Sequence, residues 1–378
     1  MKRVLPILLA IMLLLSTAHA APAGLQLNAG SAILMEKETG SVLYESNAHE
    51  KLEPASVTKV MTLLLIMEAL DSGRITKDDM VTVSAYAASM GGSQVFLEEG
   101  EQMSVHEMLK CVAVSSANDA AVAMAEHLAG SESAFVEKMN ARAGELGMTD
   151  THFSNCTGLP ISDHYTSAHD IALMSRQLIL HHPEIRTYAT IWMDTIRNGA
   201  FGLSNTNRLV RFYPGATGLK TGFTDSALYC LSATAERDGM ELIAAVMKSP
   251  TSDDRFQAAK TMLDYGFANY SLTTVHPDQA LPPVDVLLGT ANQVQPRLEQ
   301  ECRMLLSRDS AGQITTQITL AENVEAPVEA GQRLGEMTVC VNGEVRQTVP
   351  IVAAEAVDRL SLPGIFSQLL RRMLMSNQ

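Results

Sequence analysis

The feature that most constrains this chain is an apolar run, Val60-Met61-Thr62-Leu63-Leu64-Leu65-Ile66-Met67-Glu68-Ala69-Leu70, entered through Pro54-Ala55-Ser56-Val57-Thr58-Lys59. A helix drawn through it carries apolar side chains on nearly every face, so it has to lie in the middle of a domain. Pro54 suits its entrance and Gly73 its exit. Ser56 then sits at the mouth of a buried helix. Residues three apart share a helix face, so the Lys59 amine can reach the Ser56 hydroxyl. A serine is a poor nucleophile until a base takes its proton, and the amino end of a helix favours the oxyanion that follows. A lone Ser-x-x-Lys is also a common solvated pair, so the assignment depends on the rest of the chain.

With 378 residues, 46% of them hydrophobic and 19% charged, the chain can hold two domains with cores of their own. Lys2 and Arg3, the apolar stretch Val4 to Leu15 and then Ala18-His19-Ala20 read as a signal peptide, residues 1–20, cut after Ala20. Retention as an anchor is the alternative, although the stretch is short for a membrane span. The mature protein is expected outside the cytoplasm. Its formal net charge of −14, made more negative by loss of Lys2 and Arg3, should repel phosphate backbones, and no nucleic-acid partner is expected. The five cysteines are too few and scattered for a disulfide scaffold or zinc site. Cys302 and Cys340 share a late segment and could pair; the odd count leaves at least one thiol alone. No His-Glu-x-x-His run occurs, so neither metal nor cofactor is expected.

Ser31 to Met35 and Ser41 to Tyr44, joined by a turn ending in Gly40, predict a hairpin. Val81 to Glu101 predicts loop with little regular structure. Ser104 before an acidic first turn predicts a helix to about Val114, stopped by Ser115-Ser116-Ala117-Asn118-Asp119. A second apolar helix runs from Ala120 to Leu128 and ends at Gly130. Ser116 and Asn118 therefore lie in a tight break, either capping the second helix or turning their polar groups to one place. Helices are expected over Glu132 to Leu146 and about Ala168 to Leu180. From Gly215 the pattern becomes an antiparallel meander, closed by a helix from Ser252 to Tyr270. The hairpin and meander could share one sheet. The expected fold class is thus α+β, an antiparallel sheet flanked by helices.

Lys220-Thr221-Gly222 stands oddly in that meander. Glycine inside a strand weakens it and marks close approach of another backbone, such as a peptide substrate added as an extra strand. Lysine and threonine beside it suit a terminal carboxylate, although a lysine on an edge strand also discourages aggregation.

Ser56-x-x-Lys59, Ser116-x-Asn118 and Lys220-Thr221-Gly222, in that order behind a signal peptide, have the shape of the signature of penicillin-binding proteins and class A β-lactamases. From Ala32 to about Tyr270 the chain resembles the D-alanyl-D-alanine carboxypeptidase family of low-molecular-mass penicillin-binding proteins. The likeness includes Thr39-Gly40, Gly91-Gly92-Ser93, Asn118-Asp119-Ala120, Asn205-Thr206-Asn207, Tyr213-Pro214-Gly215 and Gly218-Leu219. It implies a peptidoglycan stem peptide ending in D-Ala-D-Ala as substrate and β-lactams as acylating inhibitors. By the matched positions Ser56 attacks the penultimate carbonyl and Lys59 is its base, although which group takes the proton is disputed in related enzymes. Desolvation and the nearby Lys220 are expected to lower the Lys59 pKa. Ser116 relays the proton to the departing D-alanine, Asn118 holds the substrate's peptide group, and Lys220 and Thr221 grip the terminal carboxylate. The oxyanion hole falls to the backbone N–H groups of Ser56 and Phe223, on the strand kept open by Gly222. One departure is Ala227-Leu228-Tyr229, where the family usually has Ala-Gly-Tyr.

Two other classes share part of this pattern. A class A β-lactamase also needs a glutamate for deacylation, and no Glu-x-x-x-Asn run lies between Asn118 and Lys220. A non-catalytic module binding cell-wall peptides would keep Lys220 without turnover. Beyond a catalytic domain over 21–272, prolines from Pro277 to Pro283 mark a boundary. Alternating runs then predict a small all-β domain over 273–357. The tail, 358–378, puts apolar residues at helical spacing beside Arg371 and Arg372. It reads as an in-plane anchor on the membrane surface or as a helix packed on its own domain. The expected location is extracytoplasmic, on the outer face of the cytoplasmic membrane.

Overall fold

Two stretches far apart in sequence build the main sheet. The computed structural model describes residues 25–309 and 314–366; the expected signal peptide and most of the tail, with Arg371 and Arg372, lie outside the described residues. Strands β1 (Ser31–Glu36) and β2 (Val42–Ser46) form the expected hairpin. A 3-10 turn over Ala55–Thr58 leads into α1 (Lys59–Asp71). Strand β3 (Met80–Thr82), α2 (Ala85–Ala88), β4 (Gln102–Ser104), α3 (Val105–Val114), α4 (Asn118–Ala129) and α5 (Glu132–Glu145) follow. After α6 (Ala168–His181) come α7 (Arg186–Ala189), a small hairpin of β5 (Met193–Ile196) and β6 (Phe201–Ser204), and α8 (Leu209–Phe212). The meander β7 (Ala216–Thr224), β8 (Leu228–Arg237) and β9 (Met240–Ser249) ends in α9 (Ser252–Asn269). Strand β1 pairs with β9, which gives the order β2-β1-β9-β8-β7, antiparallel throughout.

All six residues of β1 are buried because the sheet is covered on both faces. Ile33 and Met35 point into a core shared with α1 and α6, while Ala32 and Leu34 point into one shared with α9. A strand covered on both sides reads as a continuous apolar run. Helix α1 runs through the first core, and each fully buried Leu, Ile or Met on it contributes about 1.5–3 kcal/mol. That surplus tolerates a lysine at its first turn, Lys59, with no exposed surface at all.

The stretch 81–101 holds more structure than expected. Strand β3 pairs with β4, and Ser84 caps α2 by accepting from the Ala87 N–H. Elements of three and four residues are too short to show a period. Ser104 caps α3 as predicted, accepting from the Glu107 N–H. Helix α4 begins at Asn118 behind Ala117, with no side-chain cap, so neither Ser116 nor Asn118 serves as one.

Strand β10 (Tyr270–Val275) crosses the boundary expected at residue 273. The all-β part continues with β11 (Val284–Leu287), β12 (Gln293–Val294), β13 (Pro296–Leu298), β14 (Cys302–Ser307), β15 (Ile314–Leu320), β16 (Asn323–Glu325), β17 (Arg333–Val341) and β18 (Glu344–Ala353). These form one four-stranded sheet and two smaller ones around two apolar clusters. Cys302 and Cys340 do not pair; among the described residues all five cysteines are free. Cys302 is buried with Val339 and Val341, and strand alternation turns Cys340, between those two valines, the other way.

Candidate active site

The turn that carries Ser56 is pressed between two glycines. At Gly222 on β7 a Cβ would stand 2.7 Å from the Pro54 carbonyl oxygen and 3.1 Å from the Ser56 nitrogen. At Gly158 a Cβ would stand 1.9 Å from the Ala55 oxygen. The backbone that Gly222 admits is therefore the chain's own Pro54–Ser56 segment rather than an added strand, which explains glycine there without a substrate. Ala55 itself has φ +47°, a left-handed conformation unusual for a residue with a side chain.

Lys59 is the hub. Its Nζ lies 3.0 Å from Ser56 Oγ, 2.6 Å from Asn118 Oδ1 and 2.8 Å from the Thr157 carbonyl. Burial lowers its pKa from the usual lysine value to about 7, opposed by the negative charge of Asp119. The expected help from Lys220 acts on the other amine. Lys220 is pushed well below the ordinary lysine range by burial first and by Lys59 second.

Asn118 does two jobs, since its Nδ2 donates to the Gly91 carbonyl at 2.7 Å while its Oδ1 faces Lys59. Sequence reasoning missed the residue beside it. Asp119 has no exposed surface, and its carboxylate accepts from the N–H groups of Val95 and Leu97 at 3.1 Å each. That ties the Gly91–Leu97 loop to the start of α4. Ser116 is 3% exposed, sits at φ +62°, and its hydroxyl has no hydrogen-bond partner among the described residues. An unpaired buried hydroxyl costs free energy unless a ligand completes it.

On β7, Lys220 is 1% exposed and, among the described residues, donates only to the Thr221 carbonyl, at 3.0 Å. Thr221 Oγ1 donates to Thr206 Oγ1 at 2.6 Å, and the Thr206 N–H bonds the Val114 carbonyl at 3.2 Å, at the end of α3. Asn205 and Asn207 brace this connection, with Asn207 Nδ2 donating to the Gly218 carbonyl at 2.8 Å. The Arg255 guanidinium donates to the Gly222 carbonyl at 2.8 Å. Phe223 is 48% exposed, its ring stacked 4.4 Å from that of Tyr229. Leu228, the departure noted in the sequence, has φ +56°, a left-handed conformation that glycine adopts without steric cost. Among the described residues no glutamate hydrogen-bonds Ser56, Lys59 or Asn118; Glu132, the first after Asn118 and Glu126, is taken by Tyr86 and Cys156.

Three motifs separated by up to 164 positions, from Ser56 to Lys220, thus meet at one end of the sheet. A hydroxyl, a buried amine, a second buried hydroxyl and a recessed second amine define a serine enzyme of the acyl-transfer class. Comparison with known proteins gives the family. Residues 16–251 match the D-alanyl-D-alanine carboxypeptidase family, and residues 270–359 match the C-terminal domain of penicillin-binding protein 5. The D-alanyl-D-alanine carboxypeptidase DacF of Bacillus subtilis is 42% identical over 368 residues, covering 94% of each chain. The crystal structure of penicillin binding protein 5 from Haemophilus influenzae matches with TM-score 0.75 at 30% identity, covering 88% of this chain and 98% of that one. Penicillin-binding protein D2 of Listeria monocytogenes in its ampicillin-bound form matches with TM-score 0.60 at 33% identity, covering 65% of this chain and 99% of its own. The chain belongs to the D-alanyl-D-alanine carboxypeptidase family.

Proposed function

We propose that this protein is a serine-type D-Ala-D-Ala carboxypeptidase. It removes the terminal D-alanine from peptidoglycan stem peptides through an acyl-enzyme on Ser56, and β-lactams acylate the same hydroxyl. The observation that carries this reading is the set of three partners around Lys59. As an ammonium, Lys59 donates to all three. Once it loses a proton, two N–H groups remain for Asn118 Oδ1 and the Thr157 carbonyl, neither of which can donate. The lone pair is left facing Ser56 Oγ, the one partner with a proton to give.

Ser56 attacks the penultimate carbonyl, with the main-chain N–H groups of Ser56 and Phe223 holding the oxyanion. The Ser116 hydroxyl, unpaired in the free protein, carries the proton to the departing D-alanine. The Asn118 side chain bears on the substrate's peptide group. Lys220 and Thr221 take the terminal carboxylate, whose negative charge favours the Lys220 ammonium that burial disfavours. Water then hydrolyses the ester. Mass spectrometry after exposure to a labelled penicillin tests the assignment: a stable adduct on the Ser56 peptide is expected, and none with Ser56→Ala. An adduct elsewhere, or rapid penicillin turnover without one, contradicts it.

Location completes the proposal. A signal peptide over 1–20 exports the chain, the catalytic domain runs from residue 21 to the end of α9 at Asn269, and the β domain begins with β10 at Tyr270 and runs to residue 357. The tail over 358–378 lies in the plane of the membrane surface. Residues 362–366 are helical, and no described helix is long and apolar enough to cross a membrane. Release from the membrane fraction on deletion from Leu362 onward is the expected result.

A further inference from the structure

We infer that His164 is a positioning residue for acylation: its imidazole, acting through the Thr58 hydroxyl, holds the Ala55–Ser56 peptide and thereby aims the nucleophile. The inference rests on Ser56 being the acylated group.

Ala55 is buried and left-handed, a conformation that is strained in a residue with a side chain and persists only where its surroundings hold it. The holding contacts are specific. Thr58 Oγ1 lies 2.9 Å from the Ala55 carbonyl and 2.8 Å from His164 Nε2. A hydroxyl has one hydrogen, and a carbonyl can only accept, so the Thr58 hydrogen goes to Ala55. His164 Nε2 must then carry the ring proton. The other nitrogen, Nδ1, accepts from the Ser154 N–H at 3.0 Å and must be bare. Only one protonation pattern satisfies all three bonds, a neutral imidazole with its hydrogen on Nε2. The ring is 4% exposed, and burial lowers its pKa to about 4, with His152 acting in the same direction.

A threonine hydroxyl that bonds three residues back is common by itself. What is unusual is the ring behind it and the loop that carries the ring. Residues 154–164 supply His164 at one end and, in the middle, the Thr157 carbonyl on Lys59 and Gly158 against the Ala55 oxygen. Asn155 Oδ1 fixes that middle by accepting from the Thr157 and Gly158 N–H groups. One loop therefore grips both the base and the turn that presents the nucleophile. His164 is the point where it reaches that turn through a polar side chain.

The test is stopped-flow acylation of the full chain by a fluorescent penicillin, which separates the pre-covalent dissociation constant from the acylation rate. In His164→Asn the amide can still accept from Ser154 but is too short to reach Thr58. The acylation rate should fall about tenfold or more with the dissociation constant unchanged. His164→Gln, which can again donate to Thr58, should recover the rate to within about threefold. Thr58→Val should match the loss in His164→Asn, and the double variant should lose no more. A wild-type rate in His164→Asn, a Gln variant no faster than the Asn variant, or losses that multiply in the double variant would each overturn the inference. If His164→Asn does not fold, the same decision comes from the other pair: Gln fast and Val slow supports it, both equally slow contradicts it. Labelling of wild type at a site other than Ser56 would instead remove the functional reading itself.

Discussion

The two halves of this molecule bury different chemistry. Among the described residues, the buried polar and charged side chains run from Ser31 to Arg255, and they include Lys59, Asp119 and Lys220, each 0–1% exposed. The β half beyond Tyr270 buries Val, Leu, Ile, Met, Ala and Cys and no charged group. Taking an ammonium out of water is expensive, so a fold retains one only where partners compensate and where its perturbed state is used. Among the described residues Lys59 has three acceptors, and Lys220 has a single backbone carbonyl from its own neighbour. The second arrangement is incomplete without an anion. The β half has nothing to complete, which suits a spacer. The 290 Å³ cavity between the halves, lined by Arg237, Asp264, Phe267, Tyr270 and Arg308, shares no residue with the site.

The contrast can be attacked first through pH. In the role proposed for it, Lys59 must be neutral to take a proton, and its pKa is lowered to about 7. The second-order rate of acylation should therefore fall about tenfold per unit below pH 7 and level off above it. The same shift acts on stability with a definite sign. From about pH 7 toward the ordinary lysine value of 10.5, the unfolded chain binds a proton that folded Lys59 has released, so stability rises with pH across that window. An acylation rate flat from pH 5 to 8 would break the contrast at its centre.

A smaller effect is expected at Asp119. In Asp119→Asn the carboxylate that accepts from Val95 and Leu97 becomes an amide with half the accepting capacity. Acylation should slow by about tenfold, and stability should drop by roughly 1–3 kcal/mol, read from thermal melts and from labelling rates. The smallest effect is expected from the β half. Penicillin-binding protein D2 of Listeria aligns over 99% of its own chain with only 65% of this one. A chain ending after Val275 should accordingly acylate within about twofold of the full protein. In the full chain, Met337→Ala should lower the melting of that half by about 2–5 kcal/mol with labelling unchanged. Loss of acylation in either would show that the β half does more than space.

Much of this was legible in the chain because it is local. The all-round apolar α1, the Ser104 cap, the Gly130 stop and the hairpin and meander all follow from spacings of two to four residues, and the structure has each of them. The residue types of the three motifs were legible for the same reason. The Asn205-Thr206-Asn207 run was visible as part of a likeness, but its work in joining Thr221 to the end of α3 was not. Asp119 and His164 carried no signal beyond their neighbours.

By itself, then, the chain determined which groups could do chemistry and which segments would be helix or strand, since hydroxyls, amines and periodicities are properties of short stretches. Only the packed fold decided where those groups point. It turned Gly222 toward Ser56 rather than toward an added strand, left the Ser116 hydroxyl unpaired, separated Cys302 from Cys340, and drew the Lys59 pKa down by burial. Those outcomes depend on close approach between residues up to 168 positions apart, from Pro54 to Gly222, and on exclusion of water from the space between them. Close approach and exclusion of water arise only when the layers come together.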